Sequence, residues 1–451
     1  MQATERFDVL VIGGGPAGST VSTLLARQGK RVLLLEKDHH PRFHIGESLL
    51  PCNMPILEEL GVLDEVRAIG VEKLGADFST ADDEAHTTYH FARAFNRTPG
   101  YAFEVKRSEF DELLFRNAQK HGVDAREGLR VVELEELEAE RGQPRATRAV
   151  AVDEAGARHT IEARYLVDAS GRDTFLSKKL GIKRKNKDHA SAAIFGHFEG
   201  VTRREGKDAG NISIYWFDHG WMWFIPLRDG VMSVGAVCWP EYLKSREGSL
   251  EDFLLSTIRR SPRASERMKG AKAVSEIRAT GNYSYVSDRM AGPGWIMVGD
   301  AFAFIDPVFS SGVFLAMNGA RRAAEIVGEV LAEPGREAAL QREYDAFIRK
   351  GIVTFSWFIQ RFTSPGLRWI FKNPRNIYRI EEAVIAMLAG DVFRETPVRS
   401  RFRALRGIYA VRTLVELPEA IRNYALRRRN AKQVATGITT AEGQPDTVGF
   451  S

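Results

Sequence analysis

A glycine-rich turn near the start of the chain constrains the fold more than any other feature of the sequence. Residues 13–18 read Gly-Gly-Gly-Pro-Ala-Gly and match the pattern G-x-G-x-x-G. The continuous apolar run 9–12 precedes the turn, as expected of a strand buried on both faces. Helical spacing of apolar residues follows over 19–28, and a second apolar run, 31–36, ends at Glu36. The sequence therefore predicts a strand–turn–helix–strand unit and a parallel sheet.

The glycines and the acid of this unit suit a dinucleotide. Gly13 permits the tight turn, Gly15 lets a pyrophosphate approach the backbone, and Gly18 permits close packing of helix on strand. Free N–H groups at the helix N-terminus bind phosphate. Glu36 lies at about the 20-residue spacing of an acid that binds a ribose hydroxyl. Glycine turns also occur for structural reasons alone, but the strand, the helix and the acid together favour a nucleotide site.

Composition limits the class of protein. Two cysteines among 451 residues, Cys52 and Cys238, argue against a disulfide framework and favour a reducing compartment. No signal peptide and no apolar run of ~18 residues is visible, so we expect a cytoplasmic protein without stable membrane insertion. The histidines show no metal-ligand spacing, and we expect no metal site.

The net charge of +5 is concentrated near the C-terminus. Residues 399–432 contain ten Lys or Arg against two acids. Such a segment can bind nucleic acid, an anionic membrane or an acidic protein. A solvated helix face is the simpler interpretation, and we expect no nucleic-acid partner.

Further strand-like runs at 165–168 and 295–298 indicate that the nucleotide-binding domain is interrupted. We predict an α/β protein in which a Rossmann-type domain is interleaved with a mixed or antiparallel β-sheet substrate domain, followed by a C-terminal helical region. The expected boundaries are 1–185 and 273–345 for the nucleotide-binding domain, with a small sheet insertion near 76–106; 186–272 for the substrate domain; 346–435 for the helical region; and 436–451 for a flexible tail.

Three further motifs resemble those of flavoprotein hydroxylases. Gly299-Asp300-Ala301 with Asp306-Pro307 resembles their G-D-A-x(4)-D-P element, and 168–171 resembles their D-x-x-G element. Arg107 resembles the arginine near the FAD phosphates. The resemblance implies that FAD is the cofactor and that Asp300 contacts its ribityl chain. The resulting set of cofactor-binding residues is Gly13, Gly15, Pro16, Ala17, Gly18, Glu36, Lys37, Arg42, Ser48, Arg107, Asp168, Gly171, Gly299, Asp300, Pro307, Gly312 and Val313.

Two motifs resemble those of flavin-dependent halogenases. Residues 220–226 contain W-x-W-x-I-P, and 304–312 match F-x-x-P-x-x-S-x-G. A helix beginning near Val313 would present unpaired amides to a halide, although Ser310 could instead be a simple helix cap. A strand packing its aromatic residues would also explain the first motif. The resemblance implies a halide site at Ser310, Ser311 and Gly312, with flanking aromatic residues Trp221, Trp223, Phe304 and Phe309.

The resemblance also implies a reaction. FAD, reduced by a separate flavin reductase, would react with oxygen to give a flavin hydroperoxide, which would oxidise chloride or bromide to hypohalous acid. A lysine would then form a haloamine or hydrogen-bond the oxidant. Lys73, in Val71-Glu72-Lys73-Leu74-Gly75-Ala76-Asp77-Phe78, resembles that lysine, and we expect it to be partly buried between the domains. The segment Gly46-Glu47-Ser48 resembles the G-E-S element near the flavin, whereas we interpret His44 as structural.

One departure concerns the substrate. Tryptophan halogenases carry a Glu just before the serine of the halide loop, and Phe309 takes that position here. We therefore expect an electron-rich phenol or pyrrole as the substrate, free or tethered to an acidic carrier protein that docks on the basic C-terminal segment. An FAD-dependent aromatic hydroxylase and a reductase of isoprenoid double bonds, like the geranylgeranyl reductases, remain alternatives, as does a flavin-binding protein without chemistry.

Overall fold

The computed structural model describes residues 4–80, 86–94, 98–138, 145–372, 379–393 and 398–437. Within these residues the chain forms nineteen strands. Their bounds are β1 (Glu5–Ile12), β2 (Val32–Leu35), β3 (Val71–Lys73), β4 (Gly75–Thr80), β5 (Thr87–His90), β6 (Ala102–Glu104), β7 (Asp124–Arg126), β8 (Leu129–Glu136), β9 (Thr147–Asp153), β10 (Arg158–Asp168), β11 (Lys183–Glu199), β12 (Ile212–Phe217), β13 (Gly220–Pro226), β14 (Met232–Cys238), β15 (Lys272–Ala273), β16 (Arg278–Ser287), β17 (Ala291–Gly292), β18 (Trp295–Met297) and β19 (Ala303–Phe304).

The same residues form fourteen α-helices. Their bounds are α1 (Pro16–Arg27), α2 (Met54–Leu60), α3 (Leu63–Ile69), α4 (Arg107–Lys120), α5 (Phe175–Lys179), α6 (Pro240–Lys244), α7 (Leu250–Ile258), α8 (Pro262–Arg267), α9 (Ser311–Ala332), α10 (Glu337–Ile359), α11 (Pro365–Lys372), α12 (Ile380–Leu388), α13 (Val398–Val415) and α14 (Leu417–Gly437).

The nucleotide-binding sheet has the predicted parallel centre. β1 lies between β10 and β2, and β18 and β7 extend the two sides, all in parallel pairs. The antiparallel strands β17, β9 and β8 complete it. β1 and β2 carry no polar side chain where they are deepest, as expected of strands that are buried on both faces. The predicted α/β fold class with a Rossmann-type domain is confirmed.

The second sheet is mostly antiparallel and runs in the order β19-β16-β11-β14-β13-β12-β4-β5, with β15 on β11. Its central strands β12, β13 and β14 are buried along their whole length. The sheet also takes strands from outside 186–272, namely β4, β5, β16 and β19, while β3 and β6 pair with each other. Pairing between strands so far apart in sequence leaves no local pattern, so the predicted range 186–272 did not include these four strands.

The C-terminal third is helical, as predicted. α9 packs against α1 and α10, and α11 to α14 follow as shorter helices that contact one another and the second sheet. Most of the expected tail, 436–451, lies outside the described residues. No helix in the described part of the chain is both long and apolar enough to cross a membrane.

Candidate functional site

The glycine turn has the geometry of a nucleotide cradle. A side chain at Gly13, where φ is +101°, would lie 2.5 Å from the carbonyl oxygen of Ala169, and one at Gly18 would lie 1.8 Å from that of Gly13. These two glycines are therefore required for packing. At Gly15 the nearest atom is a guanidinium nitrogen of Arg42, 3.7 Å away. Gly15 thus leaves its backbone accessible to a phosphate.

The acid and the helix end lie beside this turn. Glu36 Oε2 accepts a hydrogen bond of 2.7 Å from the amide of Gly14, and Oε1 accepts one of 3.1 Å from the amide of Asp38. α1 begins at Pro16 without a side-chain cap, so the amides of its first turn, including Ala17, remain available for an anion. These residues fit the nucleotide end of FAD.

The two arginines near the turn differ in their contacts. Arg107 forms bonds of 2.7 and 3.0 Å with Asp111 and donates to the carbonyl of Ile45 at 2.8 Å. Burial raises the pKa of Asp111, but Arg107 outweighs it and lowers that pKa overall. Arg107 therefore holds the loop before Ser48. Arg42 bonds Asp111 and Glu36 at 3.1 and 3.3 Å and lies nearer the Gly15 backbone, which makes it the better candidate for a phosphate contact.

Five more of the expected cofactor residues lie at or just beyond the carboxyl ends of β2, β10 and β18: Lys37, Asp168, Gly171, Gly299 and Asp300. Asp168 accepts hydrogen bonds from the amides of Ser170 and Leu176, at 2.9 and 2.8 Å, and so shapes the turn that contains Gly171. Lys37 pairs with Asp173 at 2.6 Å across the neighbouring strand end. Asp300 follows Gly299, and burial raises its pKa to about 6 although Arg172 and Arg107 oppose the shift.

The expected halide turn combines strain with unpaired donors. Ser310 lies in the left-handed region at φ 54° and ψ 24°. Its amide bonds Pro307 O at 2.8 Å, and its side chain makes no cap hydrogen bond, which removes the interpretation of Ser310 as a simple side-chain cap. α9 begins at Ser311, two residues before the predicted start at Val313, because this turn leads directly into the helix. Ser311 Oγ is buried and has no hydrogen-bond partner among the described residues.

Two further contacts define the surroundings of this turn. Asp306, within the D-P element, accepts hydrogen bonds from the Val308 amide at 3.2 Å and from Ser191 Oγ at 2.9 Å, so the second sheet fixes the turn. At Gly312 no atom lies within 4 Å of the position a Cβ would take. The turn is therefore held rigidly from one side and open at Gly312.

Lys73 is more buried than predicted. Its side chain is 2 % exposed, and its ammonium donates to Ser48 Oγ at 2.7 Å and to the Leu49 carbonyl at 3.2 Å. The strand pair β3–β6 and the loop 46–50 enclose it, which accounts for the difference from the expected partial burial. The expected cofactor residue Ser48 is therefore a partner of Lys73.

Lys73 and Ser310 line one narrow cavity. Its other lining residues are apolar and come from both the second sheet and the C-terminal helices: Leu50, Ala76, Phe78, Phe91, Ile212, Ile214, Val308, Phe309 and Leu388. Sequence reasoning identified Lys73, Ser310 and Phe309 but not Phe91 or Leu388. Leu388 carries no local signal, since only the packing of α12 brings it to the site.

Aromatic side chains fill the space behind this cavity. Phe309 packs against Phe362, with ring centroids 5.2 Å apart, and Phe78 against Phe371 at 4.8 Å. Trp216 lies 5.7 Å from Phe78. Edge-to-face contacts of this kind add to the burial of apolar area and keep water out.

The two tryptophans of the W-x-W motif have different surroundings. Trp223 donates from Nε1 to Ser233 Oγ at 3.1 Å and lies over Gly235, where any side chain would collide with it. Trp221 lies 6.2 Å from Phe362 and lines a second cavity with His219 and Val308. Phe304 stacks on Tyr285 at the edge of the second sheet, 6.1 Å away.

The G-E-S segment contacts His197, a residue that sequence reasoning missed. Glu47 is buried, and its Oε1 lies 2.7 Å from His197 Nε2 on β11. His44 Nδ1 donates to the neighbouring Ile45 carbonyl at 2.7 Å, in line with a structural role. In the described part of the chain no three His, Cys, Asp or Glu side chains cluster as a metal site would require.

The fold and the site define an FAD-dependent oxidoreductase-type enzyme. Residues 6–348 match the model of the FAD binding domain family. A tryptophan 2-halogenase of Chondromyces crocatus is 39% identical over 368 residues, covering 79% of this chain and 69% of the relative. A 1H-pyrrole-2-carbonyl-[peptidyl-carrier protein] chlorinase of Pseudomonas fluorescens is 28% identical over 413 residues, covering 86% of this chain and 90% of the relative.

Solved structures agree with this assignment. The myxobacterial chondrochloren halogenase CndH superposes with a TM-score of 0.74 at 34% identity, covering 91% of this chain and 96% of that structure. A flavoprotein/dehydrogenase of Cytophaga hutchinsonii gives a TM-score of 0.84 at 29% identity, covering 91% of this chain and 100% of that structure. The chain belongs to the flavin-dependent halogenases within the FAD binding domain family, with FAD as cofactor and a halide as co-substrate.

Proposed function

We propose that this enzyme halogenates a phenol or a pyrrole beside the narrow cavity between Ser310 and Lys73. The observation that carries the proposal is that these two residues line one cavity whose other described walls are apolar. The oxidant that forms at the halide site must reach the lysine without escaping into water. An apolar channel between them meets this requirement.

When bound and reduced, FAD together with oxygen would supply the two-electron oxidation that converts chloride or bromide to hypohalous acid. The chain's own part is to bind and direct. The unpaired hydroxyl of Ser311 and the amides at the start of α9 hold the halide. Lys73 donates an N–H to the oxidant at the far end of the cavity. The aromatic C–H bond is then replaced by a carbon–halogen bond, and the displaced ring proton combines with the hydroxide of the hypohalous acid to give water.

The substrate class follows from the cavity wall. No carboxylate is among the described residues that line it, and Phe309 occupies the position before Ser310. The enzyme therefore lacks a lining acid that could orient or deprotonate an unactivated ring. A phenol or pyrrole supplies the electron density itself, and the apolar rings of Phe78 and Phe91 suit its flat faces.

Two partners complete the proposal. A separate flavin reductase supplies reduced FAD, and an acidic carrier protein delivers the substrate. α13 and α14 expose apolar side chains beside arginines. The exposed apolar side chains include Val411, Leu414, Val415, Leu417, Ile421 and Tyr424. This combination suits an acidic protein surface with an apolar centre. The carrier-dependent chlorinase among the relatives supports the same partner. We further propose that the enzyme acts in the cytoplasm.

The reaction is tested with FAD, a flavin reductase, NADH, oxygen, bromide and a simple phenol as probe. Mass spectrometry should show the phenol gaining bromine in place of hydrogen. Gain of one oxygen would instead identify a hydroxylase, and addition of two hydrogens to a prenyl probe would identify a reductase. Turnover that is independent of bromide would overturn the halide site at Ser310, Ser311 and Gly312.

The role of Lys73 is tested by Lys73→Ala and by Lys73→Met, which keeps the apolar stem. Both should abolish bromination, because the oxidant loses its hydrogen-bond donor, while NADH-driven flavin oxidation continues. Lys120→Ala, at an exposed lysine at the end of α4, is the matched control and should retain full activity. Bromination by the Lys73 variants at the wild-type rate would exclude Lys73 from the reaction.

A further inference from the structure

The environment of Lys73 contains an acid that the reaction outlined above does not use. Glu104, the last residue of β6, is 0 % exposed, and its Oε1 lies 3.8 Å from the ammonium nitrogen of Lys73. The pairing of β3 with β6 brings the two side chains together. A buried carboxylate beside a buried ammonium compensates a charge that would otherwise be very unfavourable in the interior.

The contacts of Lys73 favour its charged form. An ammonium has three N–H donors and no acceptor. Two of these donors are used by Ser48 Oγ and the Leu49 carbonyl, at 2.7 and 3.2 Å. Glu104 at 3.8 Å is beyond hydrogen-bond distance, so it attracts the charge without taking the third donor. That donor remains for a ligand in the cavity.

Other charges near the pair come from the adjoining segments. Burial lowers the pKa of Lys73, and Glu104 opposes this shift. Burial raises the pKa of Glu104 to about 7, Lys73 and Ser48 oppose the shift, and the nearby Glu47 adds to it. Glu47 in turn contacts His197 at 2.7 Å. Because each member of the Lys73–Glu104 pair stabilises the charge of the other, loss of the Glu104 charge should lower the pKa of Lys73 further.

We propose that Glu104 is a positioning residue, the buried counter-ion that keeps Lys73 as an ammonium with one N–H directed to the oxidant. The inference rests on the proposed function of Lys73 and refines it. Of the two roles open to the lysine, it selects hydrogen bonding to the hypohalous acid, since a haloamine would require the neutral amine. Glu104 is not among the described residues that line the cavity, so it acts through Lys73.

The test is the pH profile of bromination in Glu104→Gln, which keeps the shape of the side chain and removes its charge. Activity should fall on the alkaline side when Lys73 loses its proton. Loss of an opposite charge at this distance should move that fall to lower pH by about 1 to 3 units. Glu104→Asp keeps the negative charge, so its pH profile should lie close to that of wild type. Glu72→Gln, at the exposed neighbour on β3, is the matched control and should leave the profile unchanged.

A second measurement does not depend on catalysis. In protein labelled with ¹⁵N-lysine, the Nζ resonance of Lys73, assigned by its absence in Lys73→Arg, should titrate at lower pH in Glu104→Gln. Equal titration in wild type and Glu104→Gln would overturn the inference, as would an unchanged alkaline limb. If the wild-type protein brominates no probe, the proposed function fails, whereas the Nζ titration still decides whether Glu104 is the counter-ion. If Glu104→Gln does not fold, Glu104→Asp takes its place, with a smaller shift expected.

Discussion

Several single residues at the site occupy conformations or charge states that the chain would avoid elsewhere. Ser310 adopts a left-handed backbone, which costs a non-glycine residue about 1–2 kcal/mol. Asp300 is a carboxyl whose pKa burial raises to about 6. The amino group of Lys73 has almost no exposure, and burial lowers its pKa. Such positions concentrate at functional sites because binding requires groups that are not already satisfied by the fold.

Asp300 gives a prediction with a defined sign. In the flavin-free protein, its raised pKa means that the native state resists ionisation, so stability falls as pH rises from about 4, the unfolded value, to about 6. Asp300→Asn removes this effect. Its thermal unfolding temperature should exceed that of wild type by an amount that grows over this range and is constant at higher pH.

The measurement is thermal unfolding of flavin-free protein between pH 4 and 8, with Asp64→Asn as the control at an exposed carboxylate. Affinity for FAD should fall in Asp300→Asn if the carboxylate contacts the ribityl chain as expected. A stability gain that does not change with pH would show that burial of Asp300 is not its cause.

At the scale of elements, the site forms where strands and helices from distant parts of the sequence converge. β3 supplies Lys73, the turn before α9 supplies Ser310, and α12 supplies Leu388. Leu388 is 5 % exposed. Because a helix of the C-terminal region closes the cavity, the side chains on α12 should determine which substrates fit.

Substitutions at Leu388 test this conclusion. Leu388→Phe should fill the narrow cavity and reduce bromination of a simple phenol at least tenfold, while flavin oxidation is unchanged. Leu388→Ala should admit bulkier phenols, such as naphthols, and cost about 2–5 kcal/mol of stability. The control is Leu426→Ala on the exposed side of α14. A ratio of phenol to naphthol turnover equal to that of wild type in both Leu388 variants would exclude α12 from substrate selection.

The sequence was informative where structure follows from neighbouring residues. The turn 13–18 and its flanking strands form as predicted, because periodicity and glycine spacing are local properties. The turn before α9 forms where the motif predicts a turn, but the left-handed Ser310 was not foreseen, since serine has no strong preference for that conformation. The contacts of Lys73 with Ser48 and Glu104 join segments 25 and 31 residues away in sequence. Neither has a local pattern, so only the fold reveals them.

Over the whole molecule, the two sheets and the C-terminal helices are interleaved so that the second sheet contacts the turn before α9. Ser191 of β11 bonds Asp306, and α14 contacts the same strand. The exposed face of α13 and α14 is therefore linked by direct packing to the elements around the cavity. Its arginines and apolar residues make it the surface on which we place the acidic carrier protein.

Charge reversal on this face tests the carrier proposal. Arg422 and Arg428 are exposed on α14, and Arg428 lies 5.6 Å from the ring of the exposed Tyr424. With an acidic peptidyl carrier protein loaded with pyrrole-2-carbonyl as the probe, Arg422→Glu combined with Arg428→Glu should weaken binding at least tenfold, because attraction becomes repulsion. Added salt should weaken the wild-type complex but not that of the double variant. Bromination of a free phenol should be unchanged, since neither arginine reaches the cavity.

The control for this experiment is Arg130→Glu, an exposed reversal on β8 in the nucleotide-binding sheet. It changes the net charge by two without altering the α13–α14 face, so any loss of affinity it causes measures long-range attraction alone. If the carrier binds wild type and the Arg422/Arg428 double variant with equal affinity, either the carrier docks on another surface or the enzyme acts on a free substrate. The two outcomes separate when the loaded carrier is compared with free pyrrole-2-carboxylate as substrate: an enzyme that uses a carrier halogenates the former faster.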